Sequence, residues 1–346
     1  EGKRIQAHGA GMIYDNGTYY WYGENKEFSK GKKNVWTWGI RCYSSKDLYN
    51  WKDEGLIIPP NLEDKKSSLH PSKPVDRPHI LKNRRTGKYI CWLKLSGKIG
   101  CFVVLTAESI LGPYTIVRDR IKPFGKDAGD FDIWQDEDGQ GYILFEHDHN
   151  GVIAAKLSED FLDVVGPYHD MFVGLKPPFT REGITHFTYG GRNFMLTSGM
   201  TGYIPNPSDV AVSDDPLGPY VSVGDPHRND DSCASFNSQV SCIFQDPQRD
   251  GFYLVMADRW VPQYMVTKER YQQILRVVAG LSDRRYKPKL SDYLAVAGAP
   301  FLGTANTSIS EYVWLPMKFE NGKPVIDWYD EWRIEDFVSD KTRGKL

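Results

Sequence analysis

A hairpin pattern that recurs five times constrains the fold of this chain more than any other feature of its sequence. Each copy has a turn containing glycine, followed by an alternating strand rich in aromatic residues, as in Tyr14-Asp-Asn-Gly-Thr-Tyr-Tyr-Trp-Tyr22. A period of this length is typical of repeat architectures, in which each unit is one small supersecondary structure. The turn glycines lie at spacings of 70, 52, 52 and 60 residues and are Gly17, Gly87, Gly139, Gly191 and Gly251.

A second element follows each of the first four hairpins. It is another alternating strand that ends in a polar turn, and Gly-Pro-Tyr marks this turn at residues 112–114, 166–168 and 218–220. Two linked strand pairs in each unit predict an all-β, five-bladed β-propeller that forms a single domain over residues 1–346. The alternative is a β-sandwich with coincidental turns, and the ordered recurrence of both elements argues against it.

The fifth unit carries an insertion. Residues 267–279 have apolar side chains near a 3.6-residue period, which predicts a short surface helix in the fifth blade. The tail between Trp314 and Trp332 is expected to supply the last strands and to meet the N-terminal strand.

Composition and missing motifs exclude several classes of function. The formal net charge is −2, so there is no basic footprint for nucleic acid. No apolar run approaches the roughly 18 residues of a membrane span. The chain contains no EF-hand loop, HExxH, P-loop or GxSxG motif, which leaves nucleotide chemistry, zinc peptidases and serine hydrolases without support. The five cysteines have no CxxC spacing and are expected to be mostly small buried hydrophobes.

Polar residues open the innermost strand of each predicted unit, where a propeller brings its blades together at the mouth of the central channel. Crowded carboxylates raise one another's pKa, which suits a general acid at neutral pH. An acid and a base placed across a sugar hydrolyse glycosides. For any single residue a structural ion or a channel water is the alternative, but the whole set favours an active site. These residues are His8, Asp76, Asp130, Glu182 and Gln239.

Several of these segments together resemble glycoside hydrolase family 43, and most closely its exo-β-1,3-galactanase branch. The resemblance covers residues 5–335, and its strength lies in the order and spacing of the motifs. They are Asp76-Arg-Pro-His-Ile80, Gly129-Asp-Phe-Asp-Ile-Trp-Gln-Asp-Glu-Asp-Gly139, Arg181-Glu-Gly-Ile-Thr-His-Phe187, Thr197-Ser-Gly-Met-Thr-Gly-Tyr-Ile-Pro-Asn206 and Ser235-Phe-Asn-Ser-Gln239.

The resemblance implies catalytic roles for three residues. Glu182 matches the general acid of the family, and Asp130 matches the aspartate that modulates its pKa, with the nearby Asp132 as a weaker substitute. The usual basic aspartate of the first blade is missing, because Gln6-Ala-His8 holds no carboxylate. The galactanase branch is similar in this loss and has a glutamine near the attacking water, which Gln239 matches. Alternatively, Glu24 or Asp76 removes the proton.

Further residues are expected to bind the substrate. The branch recognises its sugar at positions that match Glu24 and Asp76, although either could instead pair with Lys26 or Arg77. The other candidates follow from their places near the channel or the rim, with a core histidine or a tight turn as the structural alternative; they are His8, Thr201, Tyr203, Asn206 and Trp260. Asp258 and Arg259 are expected to form a structural ion pair.

The resemblance thus implies an inverting exo-acting hydrolase that releases terminal galactose from β-1,3-linked galactan, such as the backbone of arabinogalactan. An α-L-arabinofuranosidase or β-galactofuranosidase on the same scaffold is an alternative, as is an inactive glycan-binding propeller. No organic cofactor is required, and a structural Ca²⁺ in the central channel is compatible with the family. Because the substrate is a polymer and the chain lacks an initiator Met, an extracytoplasmic location is expected.

Overall fold

Five antiparallel sheets of four strands each form the blades of a five-bladed β-propeller, in the order of the sequence. The computed structural model describes residues 2–31, 34–299 and 305–338. The five four-stranded sheets confirm the predicted all-β, five-bladed propeller. Blade 1 contains β1 (His8–Asp15), β2 (Thr18–Glu24), β3 (Ile40–Ser45) and β4 (Trp51–Ile58); blade 2 contains β5 (Val75–Lys82), β6 (Tyr89–Leu95), β7 (Cys101–Ala107) and β8 (Thr115–Ile121); blade 3 contains β9 (Ala128–Gln135), β10 (Gly141–His147), β11 (Gly151–Leu157) and β12 (Val164–Met171); blade 4 contains β13 (Arg181–Tyr189), β14 (Arg192–Gly199), β15 (Ser208–Ser213) and β16 (Val221–Gly224); blade 5 contains β17 (Gln239–Gln245), β18 (Tyr253–Arg259), β19 (Glu311–Glu320) and β20 (Lys323–Ile326).

The five repeated glycines lie in the turns between the first and second strands of the five blades. Each has a positive φ, from 73° at Gly87 to 89° at Gly139. Glycine adopts this left-handed conformation without the steric cost of a Cβ atom, so the repeat seen in the sequence marks the same turn in every blade.

Apolar side chains fill the spaces between neighbouring blades. Cys42 and Ile58 of blade 1 pack with Cys91 and Leu105 of blade 2, and an equivalent cluster lies at each of the other four seams. The side chains on both faces of an inner strand are therefore mostly apolar, as is typical of strands covered on both sides. All five cysteines are free thiols: three are buried, and Cys233 and Cys242 are half-buried.

The ring closes by packing between blades 5 and 1. The tail supplies β19 and β20, as expected, and the hydroxyl of Tyr312 accepts a hydrogen bond from Ala7 N at 2.9 Å and donates one to Ile5 O at 3.1 Å. Trp314 also packs against Trp21, with ring centroids 4.5 Å apart. The tail therefore meets the N-terminal strand through side chains rather than by joining its sheet.

Two α-helices lie between β18 and β19 in the described part of this segment, where the sequence predicts one. Helix α1 (Lys268–Ser282) begins at Thr267, whose side chain accepts a hydrogen bond from Arg270 N, and α2 (Leu290–Val296) follows it. Tyr271 and Ile274 of α1 pack on the loop residue Ile204. Among the described residues, no helix is both long and apolar enough to cross a membrane.

A β-bulge interrupts the pairing near the start of every innermost strand. The register shifts after His8 in β1, after Asp76 in β5 and after Glu182 in β13, and equivalent shifts occur in β9 and β17. A bulge increases local twist and redirects the side chains beside it. The side chains of the polar residues that open these strands therefore depart from the regular alternation, in which successive side chains point to opposite faces of the blade.

Candidate active site

A cavity of about 730 Å³ lies where the innermost strands begin. This volume is within the range of sites for small ligands. The structure brings seven of the ten predicted site residues to its lining, and these are Glu24, Asp76, Asp130, Glu182, Tyr203, Gln239 and Trp260.

Glu182 and Asp130 come from neighbouring blades and are linked through the backbone. Gly183 N donates a hydrogen bond to Asp130 Oδ2 at 2.8 Å, which ties the aspartate to the residue after Glu182. Burial and, after it, the negative charge of Asp130 raise the pKa of Glu182 to about 8. Glu182 is therefore protonated near neutral pH, as a general acid must be before it reacts.

Two cations hold Asp130 in its charged form. Arg77 Nε lies 3.2 Å from Asp130 Oδ2, and Lys94 Nζ contacts Asp130 Oδ1. Burial alone would raise the pKa of Asp130, but the charges of Arg77 and Lys94 outweigh it and keep that pKa well below its usual range. The two carboxyl groups thus have pKa values pushed in opposite directions, which is how an enzyme assigns different roles to similar groups.

Gln239 contacts the acid directly. Its Nε2 donates to Glu182 Oε1 at 3.2 Å and to Ser198 Oγ at 3.0 Å, while its Oε1 accepts from Trp260 Nε1 at 2.9 Å. An indole N–H can only donate, so Trp260 fixes which end of the amide faces Glu182. With both amide hydrogens engaged, only a lone pair of Oε1 is left for a water molecule.

Glu24 and Asp76 share the cavity wall with a buried lysine. Lys26 Nζ lies 2.5 Å from Glu24 Oε2 and 3.6 Å from Asp76 Oδ1, so the pairing considered from the sequence is present. Asp76 Oδ1 also accepts a hydrogen bond from Trp36 Nε1 at 2.6 Å. Burial raises the pKa of Glu24 to about 8; Lys26 opposes that shift, and Asp76 adds to it.

Three aromatic rings form one side of the cavity. Tyr203 lies between Trp36 and Trp260, with centroid distances of 6.3 Å and 5.1 Å. Rings arranged in this way offer apolar faces beside polar edges.

Three predicted site residues do not reach the lining of the cavity. His8 is fully buried, stacks on Tyr312 and hydrogen-bonds through Nδ1 to Asp258 Oδ1 at 2.9 Å. Thr201 and Asn206 hydrogen-bond to each other at 2.7 Å and brace the loop that carries Tyr203. Direct substrate contact by these three residues stays a prediction.

Two further expectations change with the structure. The prediction of an ion pair between Asp258 and Arg259 is wrong. Asp258 hydrogen-bonds to His8, while Arg259 donates to the carbonyl oxygens of Phe236 and Asn237. Side chains alternate along β18, so adjacent residues point to opposite faces. Asp132, the substitute for Asp130, accepts hydrogen bonds from His186 N and Ile133 N and does not line the cavity.

Four residues that line the cavity were not predicted from the sequence as site residues, and these are Trp36, Arg77, Lys94 and Glu146. A signal for two of them was present in the repeat, because Lys94 and Glu146 each follow the turn glycine of their blade by seven residues. The same position holds Glu24 in blade 1, so the repeat itself marks a second set of polar side chains. Trp36 comes from the loop between β2 and β3, whose length differs from that of the equivalent loop in the other blades.

Among residues 2–31, 34–299 and 305–338, no three His, Cys, Asp or Glu side chains converge in a way that could hold a metal ion. Both carboxylate oxygens of Asp132 in the channel already accept backbone N–H groups. A structural Ca²⁺ in the central channel stays a prediction.

A carboxylic acid that is kept neutral near pH 7 beside a charged carboxylate can protonate a leaving oxygen, which is the task of the general acid in glycoside hydrolases. The chain belongs to family 43 of these enzymes, since the profile of Glycosyl hydrolases family 43 matches residues 6–272. The resemblance seen in the sequence is confirmed. A comparison with curated proteins gave no match.

Solved structures of the same family superpose on nearly the whole chain. The β-1,3-galactosidase BT0265 has a TM-score of 0.76 and 26% identity over 97% of this chain, which spans 61% of that protein's length. The β-1,3-galactosidase BT3683, solved with galactodeoxynojirimycin, has a TM-score of 0.73 and 25% identity over 95% of both chains. An exo-β-1,3-galactanase from Phanerochaete chrysosporium has a TM-score of 0.74 at 22% identity, over 97% of this chain and 67% of that one, and shows the shared fold alone.

Proposed function

We propose that this glycoside hydrolase is an inverting exo-β-1,3-galactosidase that releases terminal galactose from β-1,3-linked galactan, such as the backbone of arabinogalactan. The observation that carries the proposal is the placement of Glu182 beside the ionised Asp130 in the axial cavity. The activities named for BT0265 and BT3683 support the choice of sugar and linkage.

Glu182 is the general acid in this proposal. Because Gln239 Nε2 donates a hydrogen bond to Glu182 Oε1, that oxygen is an acceptor, and the acid proton resides on Oε2. From Oε2 the proton passes to the glycosidic oxygen as the bond to the anomeric carbon breaks. Asp130 stays charged, holds the backbone after Glu182 and keeps the acid protonated until the substrate arrives.

Gln239 positions the attacking water on the opposite side of the sugar ring, which requires the bound sugar to open the hydrogen bond between Gln239 Nε2 and Glu182 Oε1. Trp260 occupies one lone pair of Gln239 Oε1, and the other can accept a hydrogen bond from water. A neutral amide is a poor base, so Gln239 only orients the water; the water attacks the oxocarbenium-like centre, its proton passes late to solvent water, and Glu182 is reprotonated from solvent. Glu24 and Asp76 remain alternatives as the base and are assigned here, with Tyr203 and Trp260, to sugar binding.

The proposal requires no organic cofactor, and a polymeric substrate favours an extracytoplasmic location. A catalytically inactive glycan-binding propeller is the second candidate. The observation that favours it is the first-blade segment Gln6-Ala-His8, which has no carboxylate to act as the base.

The deciding experiment is hydrolysis of β-1,3-galactobiose by the wild type and by Glu182→Gln, with the anomer of the product resolved by NMR. We expect the wild type to release α-galactose first and the variant to be slower by about 10²–10⁴-fold, the usual contribution of a general acid. Glu137→Gln, an exposed glutamate in the turn between β9 and β10, is the matched control and should retain wild-type activity.

Each other outcome has a distinct meaning. β-Galactose as the first product would refute the inverting mechanism. Release of arabinofuranose or galactofuranose in preference to galactopyranose would replace the proposal with a furanosidase. Tight binding of the disaccharide by the wild type without turnover of any glycoside would favour the glycan-binding propeller.

A further inference from the structure

Polar side chains near the ends of the second strands connect four of the five blades to the next one. In four blades the side chain seven residues after the turn glycine contacts the innermost strand of the following blade. Glu24 Oε1 accepts a hydrogen bond from Arg77 N at 2.9 Å, and Lys94 Nζ contacts Asp130. Ser198 Oγ accepts one from Gln239 Nε2 at 3.0 Å, and Asp258 Oδ2 accepts one from Gly9 N at 2.9 Å.

Glu146 holds this position in blade 3 and breaks the pattern. Glu146 is only 2% exposed, and it lines the cavity. No described residue donates a hydrogen bond to its buried Oε1, and His149 Nδ1 makes a long ion-pair contact with that oxygen, at 3.5 Å on the exposed rim. A buried carboxylate oxygen without a hydrogen-bond donor is costly, so such groups in native proteins call for an explanation.

The carboxylate of Glu146 lies close to the catalytic pair. A Cβ atom added to Gly129 would lie 1.7 Å from Glu146 Oε2, so the absence of a side chain at Gly129 lets the carboxylate pack beside the backbone that carries Asp130. After burial and Asp130, the charge of Glu146 also contributes to the raised pKa of Glu182. Glu146 therefore faces the cavity next to the group that protonates the leaving oxygen.

We propose that Glu146 is a substrate-binding residue whose carboxylate accepts a hydrogen bond from a hydroxyl of the leaving sugar, the one that departs with the glycosidic oxygen. This inference rests on the proposed function. The His149 side chain is 64% exposed at the rim above Glu146, so a sugar that contacts both residues lies between Glu182 and solvent. In an exo-acting enzyme that place belongs to the leaving sugar, because the terminal sugar occupies the inner end of the cavity.

The test compares two leaving groups. Wild type, Glu146→Ala and Glu146→Gln are assayed on β-1,3-galactobiose, whose leaving group is a sugar, and on p-nitrophenyl β-galactoside, whose leaving group has no hydroxyls for Glu146. All assays run about two pH units below the pKa of Glu182, so that this acid is protonated in every variant. We expect Glu146→Ala to lower kcat/KM on the disaccharide by about tenfold or more, as for a hydrogen bond to a charged group, and to leave the aryl substrate within about twofold.

Glu146→Gln keeps the size of the side chain and one acceptor oxygen, so its loss on the disaccharide should be smaller than that of Glu146→Ala. A melting temperature for each variant shows whether it folds, and Glu146→Gln decides the matter if the alanine variant does not. Equal losses on both substrates would show that Glu146 only supports Glu182, and no loss on either would also overturn the inference. Failure of the proposed function is seen separately, in the wild-type rates on the two galactosides.

Discussion

At the scale of single residues, Asp130 determines whether Glu182 can act as an acid. Arg77 and Lys94 keep Asp130 charged in a buried site, and that charge in turn disfavours a second negative charge on Glu182. Hydrogen bonds from Gly183 N to Asp130 and from Gln239 Nε2 to Glu182 fix the two carboxyl groups in place. The acidity of the site is thus set by a few fixed contacts rather than by the overall charge of the protein.

The pH profile of activity should follow the protonation of Glu182. Its pKa is raised to about 8, so the acid is present at lower pH and activity is lost as the pH rises through that value. Asp130→Asn removes the negative charge and leaves Arg77 and Lys94 free to stabilise ionised Glu182. We expect the alkaline limb of kcat/KM to move to lower pH by about one unit or more, together with a lower kcat. Profiles on β-1,3-galactobiose for both proteins measure this; an unchanged alkaline limb would mean that Asp130 does not tune the acid.

At the scale of strands and turns, one close approach fixes the position of Glu24. A Cβ atom added to Gly23 in β2 would lie 2.3 Å from the backbone carbonyl carbon of Ala7. Backbone cannot move aside as a flexible side chain can, so Gly23→Ala should lower stability by about 1–3 kcal/mol and reduce activity by displacing Glu24.

Gly17→Ala in the turn of the same hairpin is the matched control. Gly17 has φ of 74°, and its added Cβ would meet only the distant Tyr14 hydroxyl at 3.9 Å. This variant should lose about 1 kcal/mol through the backbone conformation alone and keep its activity. Denaturant unfolding and galactobiose hydrolysis of both variants distinguish the two effects; equal activity in Gly23→Ala would show that β1 and β2 adjust without moving Glu24.

The sequence is informative at this scale because the blade is a repeat. The turn glycines fix the hairpins, and the residues that open the innermost strands include Asp130, Glu182 and Gln239, so the fold and these three side chains of the cavity could be predicted. Trp36 and His149 could not, since they belong to connecting segments whose lengths and paths differ from blade to blade. The exclusion of His8 from the cavity also depends on a contact with Asp258, 250 residues away in the chain, which no local pattern encodes.

At the scale of the whole molecule, the site depends on a closed ring. Each of the five blades contributes to the cavity, with Glu24, Asp76, Asp130, Glu182 and Gln239 coming from blades 1 to 5 in turn. Four seams join blades that follow one another in the chain, whereas the seam between blades 5 and 1 joins its two ends. The sheets of blades 5 and 1 stay separate, and the described residues join them through side chains and one short backbone contact, in which Lys30 bridges to Asn306 and Thr307 N donates to Ser29 O at 3.0 Å.

Asp258 is the polar centre of the closing seam. It is 1% exposed, binds His8 Nδ1 and Gly9 N at 2.9 Å each, and accepts a hydrogen bond from Ser241 Oγ. Asp258→Ala leaves these buried groups without their acceptor, so we expect a loss of about 3–5 kcal/mol in the free energy of unfolding, with a smaller loss for Asp258→Asn, which keeps one acceptor oxygen.

The control Asp327→Ala removes a carboxylate that pairs with the exposed Arg228 and should cost about 1 kcal/mol or less. Denaturant unfolding of the three variants measures the difference; similar losses for Asp258→Ala and Asp327→Ala would mean that Asp258 stabilises the closed ring no more than a surface ion pair does.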